Sequence, residues 1–178
     1  MTDPEMGRLA LSGLMSEPQG ARDVVVLVHG LGGSAESTYL TSAAAAWWSL
    51  GAASLRLSLR GADGRGEDLY HAGLTADLSA AVADERMARF ERVFIVGYSL
   101  GGHVALCSAI EPADPRVRAI AAVCPPLDLE AGTARIDGLS SWPYRRYLLP
   151  KLLRAARRGV DRGRVRAPTV PLSRIRTI

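Results

Sequence analysis

The sequence predicts an α/β fold in which helices cover both faces of a mostly parallel sheet. Short, continuous runs of β-branched residues alternate along the chain with alanine-rich stretches of helical spacing. The strand–helix unit occurs three times before a fourth strand, and this alternation requires crossover connections between parallel strands. Of the 178 residues, 48% are hydrophobic and 22% are charged, which is typical of one globular domain with a hydrophobic core.

Four segments are predicted as strands and three as helices. The first strand, DVVVLVHG at residues 23–30, is a continuous apolar run that ends in glycine, as expected for a strand buried on both faces. The other predicted strands lie at residues 54–61, 92–99 and 117–124. The predicted helices lie at residues 37–50, 75–90 and 100–110. Thr75 is a suitable N-cap for the second helix, with Asp77 in its first turn.

The last part of the chain has a different character. Residues 141–159 are basic and amphipathic, and the residues up to 178 are rich in arginine, proline and glycine. One interpretation of residues 141–166 is a helix that contacts a membrane surface, because apolar and basic side chains could occupy opposite faces. The apolar face would hold Tyr144, Tyr147, Leu148, Leu149, Leu152 and Leu153, and the basic face Arg145, Arg146, Arg154 and Arg157.

Composition argues against several classes of protein. The net charge of +4 comes mostly from arginines after residue 134, and no nucleic-acid-reading motif accompanies them, so nucleic acid is not an expected partner. Cys107 and Cys124 lack the spacing of zinc ligands or of a disulfide framework, and we expect reduced core thiols. Residues 1–7 contain no signal-peptide run, and no stretch has the roughly 20 apolar residues of a membrane span. We therefore expect a cytoplasmic protein without a metal site.

A serine between two glycines is the strongest chemical motif in the sequence. Gly97-Tyr98-Ser99-Leu100-Gly101 matches the G-x-S-x-G pattern, with a predicted strand before it and a predicted helix after it. Such a nucleophile elbow needs glycine at 97 and 101, because larger residues would collide across the sharp turn. Ser99 is therefore the candidate nucleophile, with its side chain projecting above the sheet near a helix N-terminus.

A second glycine-rich motif follows the first predicted strand. Residues 29–34 have the sequence His-Gly-Leu-Gly-Gly-Ser, at the position where an oxyanion loop is expected, and His29 and Gly30 belong to this supporting motif. The predicted oxyanion donors are the backbone N–H groups of Leu31 and of Leu100, the residue after the nucleophile. Two such donors stabilise the negative charge of a tetrahedral intermediate.

These motifs together resemble the α/β-hydrolase superfamily, and within it the YheT-like branch of predicted esterases and lipases. The finer resemblance depends on residues 60–77, RGADGRGEDLYHAGLTAD, and residues 144–153 are similar to the cap region of that branch. The resemblance implies acyl transfer from a carboxylic ester to Ser99, followed by hydrolysis, without a cofactor. It also implies that residues 1–130 form the N-terminal part of the hydrolase core and that residues 131–178 are a basic, cap-like segment.

The resembling family takes its triad acid and base from loops after the nucleophile, but this sequence has no histidine beyond residue 103. His29, His71 and His103 are each interpreted as a satisfied core or interface histidine rather than the base. Asp128 is the best-positioned acid, and we interpret it as structural. The triad acid and base are therefore unassigned.

Two functional interpretations remain at this level. In the first, the chain is a C-terminally truncated ester hydrolase acting on a small-molecule or lipid ester, and the absent strands leave an apolar sheet edge uncovered. In the second, it is a non-catalytic remnant that binds acyl compounds or a partner chain. Peripheral membrane contact stays open in both.

Overall fold

The computed structural model describes residues 2–3, 7–64, 68–110, 114–163 and 170–178. The strands are β1 (Thr2–Asp3), β2 (Gly7–Arg8), β3 (Ser12–Ser16), β4 (Asp23–Val28), β5 (Ala53–Ser58), β6 (Arg92–Tyr98) and β7 (Val117–Val123). The α-helices are α1 (Thr38–Ser49), α2 (Ala76–Val82), α3 (Leu100–Ser108), α4 (Leu129–Asp137) and α5 (Trp142–Asp161). Short 3-10 helices occupy Glu85–Met87, Leu139–Ser141 and Leu172–Arg174.

Five of these strands form one sheet in the order β3-β5-β4-β6-β7. The strands β5, β4, β6 and β7 are parallel, and β3 pairs with β5 in the antiparallel direction. Helices connect the parallel strands, so the predicted α/β fold with a mostly parallel sheet is confirmed. The strands β1 and β2 form a separate antiparallel pair.

The core lies on both faces of the central strand β4, whose residues 24–28 are completely buried. Val24 and Val26 belong to a cluster that includes Phe90 of the segment before β6, whereas Leu27 packs with Leu40 of α1 on the opposite face. A strand with apolar neighbours on both faces has no reason to alternate polar and apolar residues. This explains the continuous run VVVLV.

The predicted helix at residues 75–90 is wrong in length, because α2 ends at Val82. The Asp84 side chain accepts a hydrogen bond from the Arg86 N–H at 3.0 Å and caps a separate 3-10 turn. A local carboxylate acceptor of this kind competes with the helical hydrogen bonds. The strands β1, β2 and β3 and the helix α4 are absent from the sequence-based prediction.

Helix α5 forms in the basic amphipathic segment. Leu148 is 1% exposed, and Leu149 and Leu152 are half-buried, so much of the predicted apolar face packs against the protein. Tyr144 and Tyr147 remain exposed. Residues 164–166 of the predicted membrane-surface helix lie outside the described residues, and that interpretation stays a prediction. Within the described ranges, no helix is long and apolar enough to cross a membrane.

The strand β7 forms one edge of the five-stranded sheet in the described part of the chain. Four of its seven residues are exposed, including Ala119, Ala121 and Val123. β7 is thus an edge strand of the described sheet with exposed apolar residues, and the absence of later core strands stays a prediction. Cys124, which follows β7, is exposed and has a positive φ of 49°, so the expectation of a core thiol is wrong at this position.

Candidate functional site

The backbone of Ser99 adopts a conformation that few residues other than glycine tolerate. Ser99 stands between the end of β6 and the start of α3, with φ 51° and ψ −121°. Its N–H donates a hydrogen bond to the Val123 carbonyl oxygen at 2.8 Å, which attaches the turn to β7. The side chain of Ser99 is exposed, and its Oγ has no hydrogen-bond partner among the described residues. Strained backbone of this type costs about 1–3 kcal/mol and is concentrated at functional sites.

The glycines on either side of Ser99 allow three segments of backbone to meet. A Cβ at position 97 would collide with the carbonyl oxygen of Gly101. A Cβ at position 101 would collide with the carbonyl oxygen of His29 and lie 2.7 Å from that of Val28. The end of β4, the turn at Ser99 and the start of α3 are thus in direct backbone contact.

Residues 29–34, which we call the glycine loop, lie beside this turn. A Cβ on Gly30 would be 3.0 Å from the Cβ of Ser99 and 3.6 Å from its Oγ. Gly32 has a positive φ of 71°, a conformation that glycine adopts without strain. The loop and the serine therefore share one small region above the sheet.

The backbone N–H groups of the glycine loop are almost all engaged. Gly30 donates to the Tyr39 hydroxyl at 2.9 Å, and Gly32 donates to the Tyr70 hydroxyl at 2.6 Å. The N–H groups of the two following residues bond to the Gly30 carbonyl oxygen and to the Ser37 Oγ, both at 3.0 Å. The Leu31 N–H, by contrast, has no acceptor within the described ranges. The same is true of the Leu100 N–H at the start of α3.

His29 is buried with both ring nitrogens occupied. Its Nε2 accepts a hydrogen bond from the Leu59 N–H at 3.1 Å, which assigns the ring proton to Nδ1 and makes Nδ1 the donor to the Gly30 carbonyl oxygen at 2.8 Å. Burial lowers the pKa of His29 from 6.5 to about 4, so the ring is neutral at pH 7. A ring with no free lone pair cannot take a proton from Ser99.

The other two histidines have different surroundings. His103 belongs to α3 and is half-buried, and its Nδ1 donates to the Pro126 carbonyl oxygen at 2.8 Å. His71 is exposed in the loop before α2, so it is not a core histidine, and its interpretation as an interface histidine stays a prediction.

Asp128 has a structural role. It precedes α4, and its Oδ1 accepts a hydrogen bond from the Ala131 N–H at 2.9 Å, which makes it the N-cap of that helix. No group of three or more histidine, cysteine, aspartate or glutamate side chains in the described residues could hold a metal ion.

A buried ion pair beneath the site was not found by sequence reasoning. Arg60 and Asp77 have side chains that are 3% and 0% exposed, and the guanidinium Nη2 lies 2.7 Å from Oδ1. The Arg60 N–H also donates to Oδ2 of Asp77 at 2.8 Å. The pair fixes the end of the β5 segment to the first turn of α2. Nothing in the 17-residue spacing signals it, and residues 65–67 of the intervening stretch lie outside the described residues.

Helix α5 covers the glycine loop. A Cβ on Gly32 would be 2.6 Å from Cδ1 of Leu148. The Arg158 Nη1 donates to the Gly64 carbonyl oxygen at 3.4 Å and brings the end of α5 to the next loop. Burial, together with the nearby Tyr39, raises the pKa of Tyr144 in the first turn of α5. The helix is thus a neighbour of the site.

Comparisons with known proteins identify the family and the fold. The family model described as the alpha/beta hydrolase family matches residues 25–176. The protein named "Putative esterase YheT" from Escherichia coli K12 is 35% identical over 136 residues, which are 74% of this chain. The chain spans 40% of the length of that relative.

Solved structures show the same fold. A dienelactone hydrolase from Anabaena variabilis superposes with a TM-score of 0.56 at 22% identity, over 86% of this chain and 77% of that one. An esterase from Pyrococcus furiosus superposes with a TM-score of 0.58 at 20% identity, over 83% of this chain and 61% of that one. At these identities the likeness concerns the fold.

Proposed function

This chain belongs to the alpha/beta hydrolase family, and from that premise we propose that it is a serine hydrolase of carboxylic esters whose nucleophile is Ser99. One observation supports the proposal most. The strained, exposed serine lies next to a glycine loop in which the Leu31 N–H has no acceptor in the described part of the chain. The relative named as an esterase supports the substrate class.

The proposed reaction has two steps. The Ser99 Oγ adds to the carbonyl carbon, its proton passes to a base, and the ester alcohol leaves, so that an acyl-serine remains. Water then adds to the acyl-serine and releases the carboxylic acid. The N–H groups of Leu31 and Leu100 stabilise the oxyanion of each tetrahedral intermediate. Removal of one such donor costs an enzyme about 3–4 kcal/mol of barrier stabilisation.

The base and the acid stay unassigned in this proposal. Both ring nitrogens of His29 are engaged, and no described residue is hydrogen-bonded to the Ser99 Oγ. Without a base, the remaining oxyanion donors still give about 10³–10⁴-fold acceleration over water in well-studied serine hydrolases. We therefore propose that Ser99 is selectively but slowly reactive in this chain.

We also propose the following division of the chain. Residues 1–130 belong to the N-terminal part of the hydrolase core, and residues 131–178 form a basic, cap-like segment. The contact of Leu148 with the glycine loop supports this division, because a cap lies above the nucleophile and shields it from water.

A fluorophosphonate probe tests the nucleophile. We expect a single covalent adduct on Ser99 by intact mass spectrometry and peptide mapping, formed over hours and faster at higher pH. Ser99→Ala should abolish the adduct. Ser49→Ala, which removes an exposed hydroxyl at the end of α1, is the matched control and should leave it unchanged. An unmodified but well-folded chain would contradict the proposal and favour the non-catalytic alternative.

A further inference from the structure

Two tyrosines from distant parts of the chain hold the glycine loop on either side of Leu31. Tyr39, in the first turn of α1, accepts the Gly30 N–H, and Tyr70, in the loop before α2, accepts the Gly32 N–H. These two acceptors lie 9 and 38 residues from the N–H groups that they bind, whereas the N–H groups of Gly33 and Ser34 bond locally, to the Gly30 carbonyl oxygen and the Ser37 Oγ. The N–H between them, that of Leu31, has no acceptor in the described ranges.

Each tyrosine ring is fixed by a contact of its own. The Tyr70 ring meets the buried His29 ring edge-on, with centroids 5.3 Å apart and an interplanar angle of 86°. Burial raises the pKa of Tyr70 to about 12, so its hydroxyl stays protonated and uncharged. The Tyr39 ring packs against Tyr98, the residue before the nucleophile, at a centroid distance of 5.2 Å.

A loop with three glycines needs external restraints if it is to present a donor accurately. Oxyanion donors must lie about 2.7–3.1 Å from the developing charge, and a displacement of about 1 Å can cost 10²-fold in rate. Glycine loses more conformational freedom on ordering than any other residue. The restraints present here are the hydrogen bonds to the two tyrosine hydroxyls, the hydrogen bond from the His29 ring to the Gly30 carbonyl oxygen, and the contact with Leu148.

We propose that Tyr39 and Tyr70 are positioning residues, which hold the N–H groups of Gly30 and Gly32 so that the Leu31 N–H is the donor turned to the oxyanion. The inference rests on the proposed function, because an oxyanion forms only if Ser99 is the nucleophile. It assigns a task to two side chains that touch neither Ser99 Oγ nor the oxyanion.

Removal of each hydroxyl tests the proposal. We expect Tyr70→Phe and Tyr39→Phe to lower the maximal rate of fluorophosphonate modification at least about tenfold, a fraction of the 10²–10³-fold loss for a deleted donor. The apparent affinity for the probe should change less than about twofold, because the phenyl rings remain in place. Tyr147→Phe is the matched control: its hydroxyl bonds to Lys151, and its rate should equal that of the unsubstituted chain.

Amide hydrogen exchange measured by NMR gives a readout that does not depend on Ser99. In Tyr70→Phe the Gly32 amide should exchange at least about tenfold faster while the Gly30 amide is unchanged, and Tyr39→Phe should give the reverse pattern. On modification of Ser99, the Leu31 amide proton of the unsubstituted chain should move downfield, because it bonds to the phosphonyl oxygen. The move should be smaller in both phenylalanine variants.

The outcomes separate the two proposals. If the unsubstituted chain is never modified at Ser99, the proposed function fails and this inference falls with it. If Ser99 is modified, but both variants react at the rate of the unsubstituted chain or keep both glycine amides protected, only the role of the tyrosines is overturned. If Tyr70→Phe does not fold, Tyr39→Phe decides, since its side chain is already 40% exposed.

Discussion

At the level of single residues, the burial of His29 makes the stability of this chain sensitive to acid. Its folded-state pKa of about 4 lies below the value of 6.5 for an exposed histidine. Between these pH values the unfolded chain binds a proton that the folded chain does not. The free energy of unfolding should therefore fall as the pH is lowered from 6.5 towards 4, by up to about 3 kcal/mol.

The measurement is urea denaturation between pH 4 and 7. His29→Gln removes the titrating ring while retaining an acceptor and a donor, and we expect it to flatten the pH dependence in this window. His71→Gln, which removes an exposed histidine, should leave the dependence intact. Equal slopes for all three proteins would contradict the assignment of His29 as a buried neutral ring.

Gly97, two residues before Ser99, gives a second prediction on the residue scale. Gly97→Ala forces a Cβ against the backbone of Gly101, which cannot rotate away, so we expect a loss of about 3 kcal/mol of unfolding free energy. Gly132→Ala is the control, since its Cβ would only reach ordinary contact with Pro126 at 3.5 Å inside α4. That change should be neutral or stabilising by about 0.5–1 kcal/mol. Similar denaturation midpoints for the two variants would be evidence against the tight turn.

The turn at Ser99 can be predicted from the sequence, whereas the side chains that hold the glycine loop cannot. The spacing of Gly97, Ser99 and Gly101 is local, so the sequence alone predicts a sharp turn with no room for a side chain at positions 97 and 101. Tyr70 lies 38 residues from Gly32 and meets it only through the tertiary fold. The Arg60–Asp77 ion pair could not be predicted from the sequence for the same reason, because only the tertiary fold determines which two buried charged side chains are in contact.

At the level of elements, strands buried on both faces were the easiest to predict. The run VVVLV of β4 has no polar alternation, and the structure explains it by apolar neighbours on both sides. β3 was missed because its five residues, SGLMS, are half-exposed at a sheet edge and lack β-branched residues. α4 had a usable signal, Asp128 at the N-cap position followed by Glu130 in the first turn. The sequence prediction gives Asp128 a structural role but does not include the helix that it caps.

The packing of helix α5 on the glycine loop gives a prediction about stability. Leu148 is its most buried large side chain and rests on Gly32, so Leu148→Ala should cost about 3 kcal/mol and loosen the glycine loop. Leu139→Ala, at a position that is 90% exposed, should stay within about 0.5 kcal/mol. Urea denaturation measures both variants. Equal stability would show that α5 does not rest on the loop in solution.

At the level of the whole molecule, the chain belongs to a hydrolase family, but no described residue is assigned as the base for the proposed nucleophile Ser99. We expect the purified 178-residue chain to hydrolyse a short p-nitrophenyl ester little or not at all, because a serine of ordinary pKa is a weak nucleophile. The measurement is the initial rate of p-nitrophenol release, with Ser99→Ala as the background. Robust turnover that Ser99→Ala abolishes would prove this expectation wrong and would require a base within this chain.

The hydrogen bond from Ser99 to Val123 connects the reactive turn to the outermost strand of the described sheet. Outer strands detach more often than central ones, since a neighbour holds them on one side only. Detachment of β7 would remove the acceptor of the Ser99 N–H, so we expect the strained serine to be held less firmly whenever β7 leaves its place. A molecule that binds the unpaired edge of β7 would keep the strand, and with it the Ser99 turn, in place for longer. The reactivity of Ser99 would then depend on whether that edge is occupied.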